Sequence, residues 1–471
     1  MSLAAPRVAD ELLAKYGRSG PRYTSYPPVP SWSDAVGPRA LAAELSTLGR
    51  APATARGVGA IADAEIYVHL PFCAQLCTFC GCHTFITKKR EPVERYLATL
   101  AREAEATAKA AGRPLAIGAL HLGGGTPTHL DEGQLAQLLD LLEARFDFSA
   151  CRERSLEVHP HVTRTTQLDL LAERGFARLS MGVQDLSPEV QAAIHRFQTH
   201  EETAALFAHA RARGFESINV DLIYGLPKQT LEGFARTLDQ VIAMGPDRLA
   251  VYGYAHVPWL KKQQRAIDEA TLPAPPLRRD LYELAVARLE GAGYESIGFD
   301  HFARPTDPLF AARAAGTLTR NFMGYAVRRA DHALGLGPSA IGELDRLYAQ
   351  NHDTLPDWSA AIERDGLATR RGFALSAEDA LRRDVIRSLL CLLRVDGAAI
   401  GARHGVDFAA HFAPELEQLA PFVADGLLAI DGATLTLTGA GKYLARNVAM
   451  RFDTFLESAP AGSGPRFSQT V

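Results

Sequence analysis

Between Glu65 and Gly298 the chain alternates short apolar runs with longer amphipathic stretches, and this rhythm constrains the fold more than any other feature. Seven runs read as strands: Glu65–Leu70, Ile117–Leu122, Ser155–His159, Arg178–Val183, Ser217–Tyr224, Arg248–Tyr252 and Tyr294–Gly298. Six stretches with helical spacing lie among them: Glu94–Ala111, Glu132–Phe146, Gln167–Arg174, Glu201–Arg213, Leu231–Ala243 and Leu277–Gly291. Strands that alternate with helices argue for a parallel sheet. Six or seven such units, with no Gly-x-Gly-x-x-Gly turn, favour a partial TIM-like (β/α) barrel over a doubly wound sheet. The expected class is α/β, with functional residues at the C-terminal ends of the barrel strands.

The flanks differ. The run Gly20-Pro21-Arg22-Tyr23-Thr24-Ser25-Tyr26-Pro27-Pro28 must be extended, because its prolines block helix. Two tyrosines and an arginine there suit an arm packed on a domain or over a site. From about Ser376 the texture turns helical. Asp379–Leu393 is amphipathic, Asp425–Thr438 reads as a hairpin around Asp431-Gly432, and Thr438–Arg451 as a helix. The expected organisation is an N-terminal arm over 1–60, a catalytic barrel over 61–370 and a small, mostly helical C-terminal domain over 371–471. A winged helix that binds DNA is the sharper reading of the last part. Residues 376–471 carry 9 Lys/Arg and 11 Asp/Glu, so the basic footprint such binding needs is missing.

The whole chain of 471 residues has 50 Lys+Arg against 54 Asp+Glu, a formal charge of −4. That argues against nucleic acid as a partner. No apolar run reaches the roughly 18 residues a membrane span needs. Met1 to Gly20 has no apolar signal core. A cytoplasmic protein is expected.

Six cysteines are present, and four fall within ten residues: Cys73, Cys77, Cys80 and Cys82. A secreted disulfide framework spreads its cysteines through a short chain. One cluster in a long chain reads instead as a metal or redox site. It follows the first strand, at the catalytic face of a barrel. Structural zinc usually takes a second, remote pair of ligands, and no remote Cys pair exists. A Cys/His zinc site using His69 or His83 stays open on the residues alone. Three thiolates spaced Cys-x3-Cys-x2-Cys can hold three irons of a 4Fe-4S cluster and leave the fourth open to a small molecule. Cys82 lies too close to Cys80 to share that task. Cys151 and Cys391 sit in apolar surroundings, as ordinary buried thiols do.

The later strands end in polar groups. His121-Leu122-Gly123-Gly124-Gly125-Thr126-Pro127 is a glycine-rich turn in which backbone and ligand could approach closely. Glu157 ends the third strand, Gln184 follows the fourth, and Asp221 lies in the fifth. A charge in such a strand is costly to bury unless paired or hydrogen-bonded.

With Phe79 in the aromatic position of Cys-x3-Cys-x-aromatic-Cys, the chain resembles the radical S-adenosylmethionine (SAM) superfamily. In that superfamily SAM binds the open iron, one electron cleaves it, and the 5′-deoxyadenosyl radical takes a hydrogen from substrate. The resemblance narrows further. The arm Ser19–Pro27, the loop ending Gly81-Cys82, Arg178–Asp185, Asp221–Thr230, Asp300-His301-Phe302-Ala303-Arg304-Pro305 and Arg451-Phe452-Asp453-Thr454 together resemble the oxygen-independent coproporphyrinogen III oxidases. The resemblance implies that Cys73, Cys77 and Cys80 hold the cluster and that Tyr67, Gly124, Glu157 and Ile341 contact the iron-bound SAM. It implies a second SAM at Phe79, Gly125, Thr126, Gln184, Arg196, Asp221 and Ala255, with Cys82 and Tyr67 as catalytic candidates. The implied reaction is decarboxylation of two propionates of a porphyrinogen to vinyls. The implied partners are a tetrapyrrole and a reduced flavodoxin-type electron donor, and the implied state is a monomer. Four substrate carboxylates call for local cations, for which Arg22, Lys88-Lys89-Arg90 and Arg304 are candidates.

Two stretches depart from the family pattern. His159-Pro160-His161 stands where Asp-Pro-Arg is usual after the third strand. Asn321-Phe322-Met323-Gly324-Tyr325-Ala326-Val327 replaces a Gln by Met323 and drops two hydroxyls. These departures admit two other readings: a haem-binding or haem-delivery protein, and a radical SAM methyltransferase acting on a tetrapyrrole. The cysteine reading carries its own test. Cys73→Ala should lose bound iron and sulfide, while Cys82→Ala should keep both and turn over slowly; equal iron loss in the two variants would show the division to be wrong.

Overall fold

A computed structural model describes residues 9–50, 62–327, 332–456 and 467. Six parallel strands form the expected partial barrel: β1 (Ala64–Leu70), β2 (Ile117–Gly124), β3 (Glu153–Val158), β4 (Arg178–Gln184), β5 (Ser217–Tyr224) and β6 (Arg248–Gly253), paired in chain order. Helices Glu91–Ala111, Glu132–Glu143, Thr165–Glu173, His200–Ala212, Leu231–Met244 and Pro275–Gly291 follow the strands, within a few residues of the expected bounds.

Successive side chains of a strand point to opposite faces, and burial follows that alternation cleanly in β4 and β5, whereas the first four residues of β6 are all buried. Ile66, Val68 and Leu70 in β1, Leu179, Met181 and Val183 in β4, and Ile218, Val220 and Leu222 in β5 are buried outward, in one core with the helices. The residues between them, such as Tyr67, Glu157, Ser180, Asn219 and Asp221, point inward and are only partly covered. A TIM barrel usually fills its centre with branched apolar side chains. Here polar residues line a cavity of about 610 Å³ instead.

The seventh expected strand is a correction. Only Glu295–Ile297 is extended, and it runs antiparallel to His301–Ala303, which itself lies antiparallel to β6. The chain reverses at Gly298, whose φ is +61° and where a Cβ would fall 1.8 Å from the Tyr325 hydroxyl. At the other edge, the sheet continues past β1 in a way the sequence reading missed. Ala333–Leu336 adds in parallel, then Ile341–Leu344, Leu347–Asn351 and Thr369–Ala374 add antiparallel.

The C-terminal region has its own core, built on helix Ala377–Leu392 and the expected hairpin, Leu428–Asp431 with Thr434–Leu437. A third short strand, Arg394–Asp396, pairs with that hairpin. The single helix expected over Thr438–Arg451 is broken into Gly439–Lys442, Ala445–Ala449 and Met450–Phe452. Gly441 lies so close to Leu427 that a Cβ would fall 1.8 Å from its carbonyl oxygen. That contact fixes a tight turn where a regular helix would need to run.

The arm joins both cores. Tyr16 stacks on Phe422 with ring centres 4.4 Å apart and donates to Asp425 at 2.6 Å. Tyr23 donates to Asp453 at 2.8 Å, and Tyr26 meets Thr454 at 3.2 Å. Trp32 stacks on Tyr348, at 5.1 Å, in the antiparallel extension of the barrel sheet. Helix Pro38–Arg50 then packs on Glu91–Ala111. Asp453→Ala would leave the buried Tyr23 hydroxyl unpaired, a loss of about 1–3 kcal/mol. The expected outcome is a lower urea midpoint at unchanged slope; an unchanged midpoint would show that the arm is not held by this bond.

Candidate active site

The cysteine loop leaves β1 and is clasped by its neighbours. Gln75 donates to the His195 carbonyl at 2.9 Å, and the Thr78 amide to the Ile194 carbonyl at 3.0 Å. Gln263 donates to the Cys80 carbonyl at 2.6 Å, and Gln264 to those of Phe79 and Ala255 at 3.0 and 3.1 Å. The Phe79 ring packs beside Val190, Ile194, Leu226 and Tyr254, which anchors the middle of the loop.

All four thiols of the loop are free. Three of them meet a hydrogen-bond donor. Thr126 Oγ1 lies 3.5 Å from Cys73 Sγ, Arg196 donates to Cys77 Sγ at 3.8 Å, and the Cys82 amide donates to Cys80 Sγ at 3.4 Å. Burial pushes the Cys73 thiol up to about 11 and raises Cys77 as well. The Cys82 thiol and amide, with the charges of Arg196 and Lys261, bring Cys80 down to about 7. Thiolate is the form that binds metal, so donors aimed at these three sulfurs suit a metal cluster. Both ring nitrogens of His69 are engaged, with the Tyr67 hydroxyl at 3.0 Å and the His83 carbonyl at 2.9 Å. Among the described residues no three His, Cys, Asp or Glu side chains converge on one metal ion. A zinc site that used the His69 ring would have to break one of its two hydrogen bonds.

The glycine turn lies against this loop. The Gly125 amide donates to the Leu70 carbonyl at 2.7 Å and the Thr126 amide to that of Phe72 at 2.9 Å. A Cβ on Gly124 would fall 2.6 Å from the His69 ring, and one on Gly125 would fall 2.7 Å from the Pro71 backbone. The close approach these glycines permit is thus between two parts of the chain itself.

Glu157, from β3, accepts from the Gly124 amide at 3.1 Å and faces His121 at 3.5 Å. Burial alone would raise its carboxyl, but the bonds from His121 and Gly124 hold it below the usual range. Tyr67 stacks on His121 with ring centres 5.9 Å apart. Its neighbour across the sheet is Gly335, against which the Ile341 backbone lies, while the Ile341 side chain packs on the cluster of Trp32 and Tyr348. Asp221, from β5, accepts from Asn219 at 2.7 Å and Ser180 at 3.1 Å. Burial and the nearby Glu157 charge push it up to about 6.

Gln184 ends β4 at a register shift with φ +69°, a conformation that side-chain-bearing residues seldom adopt. Arg196 is buried, bonded to the Gly182 carbonyl, and its Nε has no partner among the described residues. Ala255 follows β6. The candidates from all six strands and the cysteine loop therefore gather at one end of the barrel.

None of the cation candidates lines the cavity. Arg304 bonds the Pro246 carbonyl and the Tyr294 hydroxyl, behind the start of β6. Lys88 and Lys89 are exposed, and Arg90 pairs with Asp131 at 2.6 Å. Only Arg22 reaches the rim, where it donates to the Gly253 carbonyl at 2.8 Å. Of the departing stretches, His161 faces Glu202 at 3.2 Å outside the cavity, whereas Asn321, Met323 and Tyr325 line it.

The sequence reading gave no role to Tyr252 and His301, which line the same cavity. His301 is held by Asp300 at 2.7 Å, and Asp300 by Arg320 at 3.1 Å. The signal was present in the Asp300-His301 pair, but a three-residue strand has too little pattern to assign it a face.

Comparison with known proteins agrees with this geometry. Residues 67–241 match the radical SAM superfamily, and residues 375–444 match the HemN C-terminal domain. The chain is 44% identical over 446 residues to the oxygen-independent coproporphyrinogen III oxidase of Escherichia coli, covering 94% of this chain and 95% of that one. It is 39% identical over 463 residues to that of Pseudomonas aeruginosa, covering 98% of each. The solved structure of coproporphyrinogen III oxidase from Escherichia coli, described as a radical SAM enzyme, superposes with a TM-score of 0.88 at 41% identity, over 96% of this chain and 100% of that one.

Asp221 yields a pH prediction. Its folded value near 6 lies above the ordinary 3.8, so burying the ionised form costs stability. That cost is full above about pH 6 and disappears below about pH 4, where the group is protonated folded or unfolded. Asp221→Asn should therefore raise the urea midpoint of the cofactor-free protein at pH 7.5, and the gain should shrink at pH 5. A gain independent of pH would point to some other cause.

Proposed function

We infer what this chain does from one premise: it belongs to the oxygen-independent coproporphyrinogen III oxidases of the radical SAM superfamily. It converts two propionates of coproporphyrinogen III to vinyls in haem biosynthesis, releasing carbon dioxide and giving protoporphyrinogen IX. The observation that carries this reading is 44% identity over an alignment that covers 94% of the chain.

The residues suit the cofactors this family uses. Cys73, Cys77 and Cys80 would hold a 4Fe-4S cluster, since a donor already faces each sulfur. Tyr67, Gly124, Glu157 and Ile341 would contact one SAM; Phe79, Gly125, Thr126, Gln184, Arg196, Asp221 and Ala255 would contact a second. When bound, cluster and SAM supply the one-electron chemistry that takes a hydrogen from a propionate. Glu157, kept ionised, offers an acceptor to an amino group, and Asp221 offers one to hydroxyls. Arg196 places a buried guanidinium beside the cluster loop, and hydrogen bonds to ligand sulfurs tune such sites. Cys82, exposed beside Cys80, is assigned to the reacting side of the site. Met323 gives the cavity an apolar contact for the macrocycle. That use fits the oxidase, so the departure there requires no other activity.

Three finer points rest on the family resemblance alone: a flavodoxin-type electron donor, a monomeric state and a cytoplasmic location. The proposed division into arm 1–60, barrel 61–370 and accessory domain 371–471 is supported by the two separate cores.

The test is anaerobic incubation of the reconstituted protein with coproporphyrinogen III, SAM and dithionite. Protoporphyrinogen IX should form with loss of two carboxyl groups. Formation of 5′-deoxyadenosine without decarboxylation would overturn the substrate, and formation of a methylated tetrapyrrole would favour a methyltransferase.

A further inference from the structure

Nine large apolar side chains stand more than a third exposed among the described residues. Six of them surround the cysteine loop: Leu76, Phe85, Ile86, Phe197, Trp259 and Leu260. Leu76 lies within the loop itself, next to Cys77. Phe197 follows the His195–Arg196 turn, which is tied to the loop through the Leu76 carbonyl at 3.2 Å and Cys77 Sγ at 3.8 Å. Trp259 and Leu260 precede Gln263 and Gln264, whose amides hold the Cys80 and Phe79 carbonyls. Phe85 and Ile86 pair with Phe72 and Cys73 at the loop's base. Single exposed apolar residues are ordinary, but a concentration on one face marks an interaction site.

The charge of this face is opposite to that of the chain. Segments 74–91, 193–199 and 255–269 hold seven Lys/Arg against three Asp/Glu, within a protein of formal charge −4. Lys88, Lys89, Lys262 and Arg265 are exposed around the apolar residues. An apolar centre with a charged rim is the general plan of a protein interface. A basic rim on an acidic protein selects an acidic partner and speeds its approach.

We propose that this face docks an acidic one-electron carrier protein, which delivers its electron to the cluster through the exposed turn at Leu76 and Cys77. The proposal rests on the cysteine loop holding a cluster; it does not depend on which substrate is used. The carrier is oxidised by one electron and the cluster is reduced by one, with no bond made or broken. Electron-transfer encounters are small and transient, commonly below about 1,200 Å², which suits a patch of six side chains. The porphyrinogen, also an acid, is the competing occupant, and a second copy of this chain is another.

The experiment uses reconstituted holoenzyme and reads bleaching of the cluster absorption after mixing with reductant. The probe is a photoreduced acidic flavodoxin, with dithionite as the small-molecule control. Trp259→Ala combined with Lys262→Glu should slow bleaching by flavodoxin at least tenfold and leave bleaching by dithionite within twofold. The flavodoxin rate of wild type should fall as salt rises. Equal slowing with both reductants would overturn the proposal, as would no slowing with flavodoxin, or no reduction of wild type by it. Porphyrinogen docking would appear as a raised KM in dithionite-driven turnover, and self-association as a fall in molar mass on mutation. Either result overturns the proposal. If coproporphyrinogen is not turned over while bleaching keeps its dependence on Lys262, the substrate reading fails and this one stands.

Discussion

Period-two alternation, cleanest in β4 and β5, is the constraint from which the rest follows. Apolar residues such as Ile218, Val220 and Leu222 face outward and glue the helices to the sheet. That frees the inward positions for Tyr67, Glu157, Asn219 and Asp221, which would be prohibitive in a packed barrel centre. The cavity can exist because the barrel's largest apolar core lies between the sheet and its helices rather than at its centre. Its carboxylates are shifted in opposite directions for local reasons. Donors keep Glu157 ionised, whereas burial near Glu157 lifts Asp221.

Much of this was legible in the chain. The runs Arg178–Val183 and Ser217–Tyr224 show the alternation directly, so strand bounds and inward residues followed together. The cysteine spacing announced its chemistry because few sites need three thiols so close. What stayed hidden depends on partners distant in sequence. The antiparallel edge from Ile341 to Ala374 has only one helix, Leu355–Asp365, among its three strands, so it lacked the regular strand–helix rhythm that identified the barrel. The Tyr294–Gly298 run looked like another barrel strand; its direction is set by the reversal at Gly298 against Tyr325, which no local pattern displays. The glycines after β2 were legible as a close approach, but not as an approach to His69 and Pro71.

The site is organised by hydrogen bonds between loops more than by any single loop. The cysteine segment is tied to the turn after β4 through Ile194 and His195, and to the segment after β6 through Gln263 and Gln264. The glycine turn lies beneath it. A ligand-bearing loop placed in this way is pre-positioned, which lowers the ordering cost of loading a cluster.

The arm ties the rim to the far core. Tyr16, Tyr23 and Tyr26 are remote in sequence from Phe422, Ala449 and Phe452, yet they complete one core with them. Arg22, between those tyrosines, meets the Gly253 carbonyl at the barrel rim. Loosening of the C-terminal core would therefore release the arm as well, and the mouth of the barrel would feel damage done far from it.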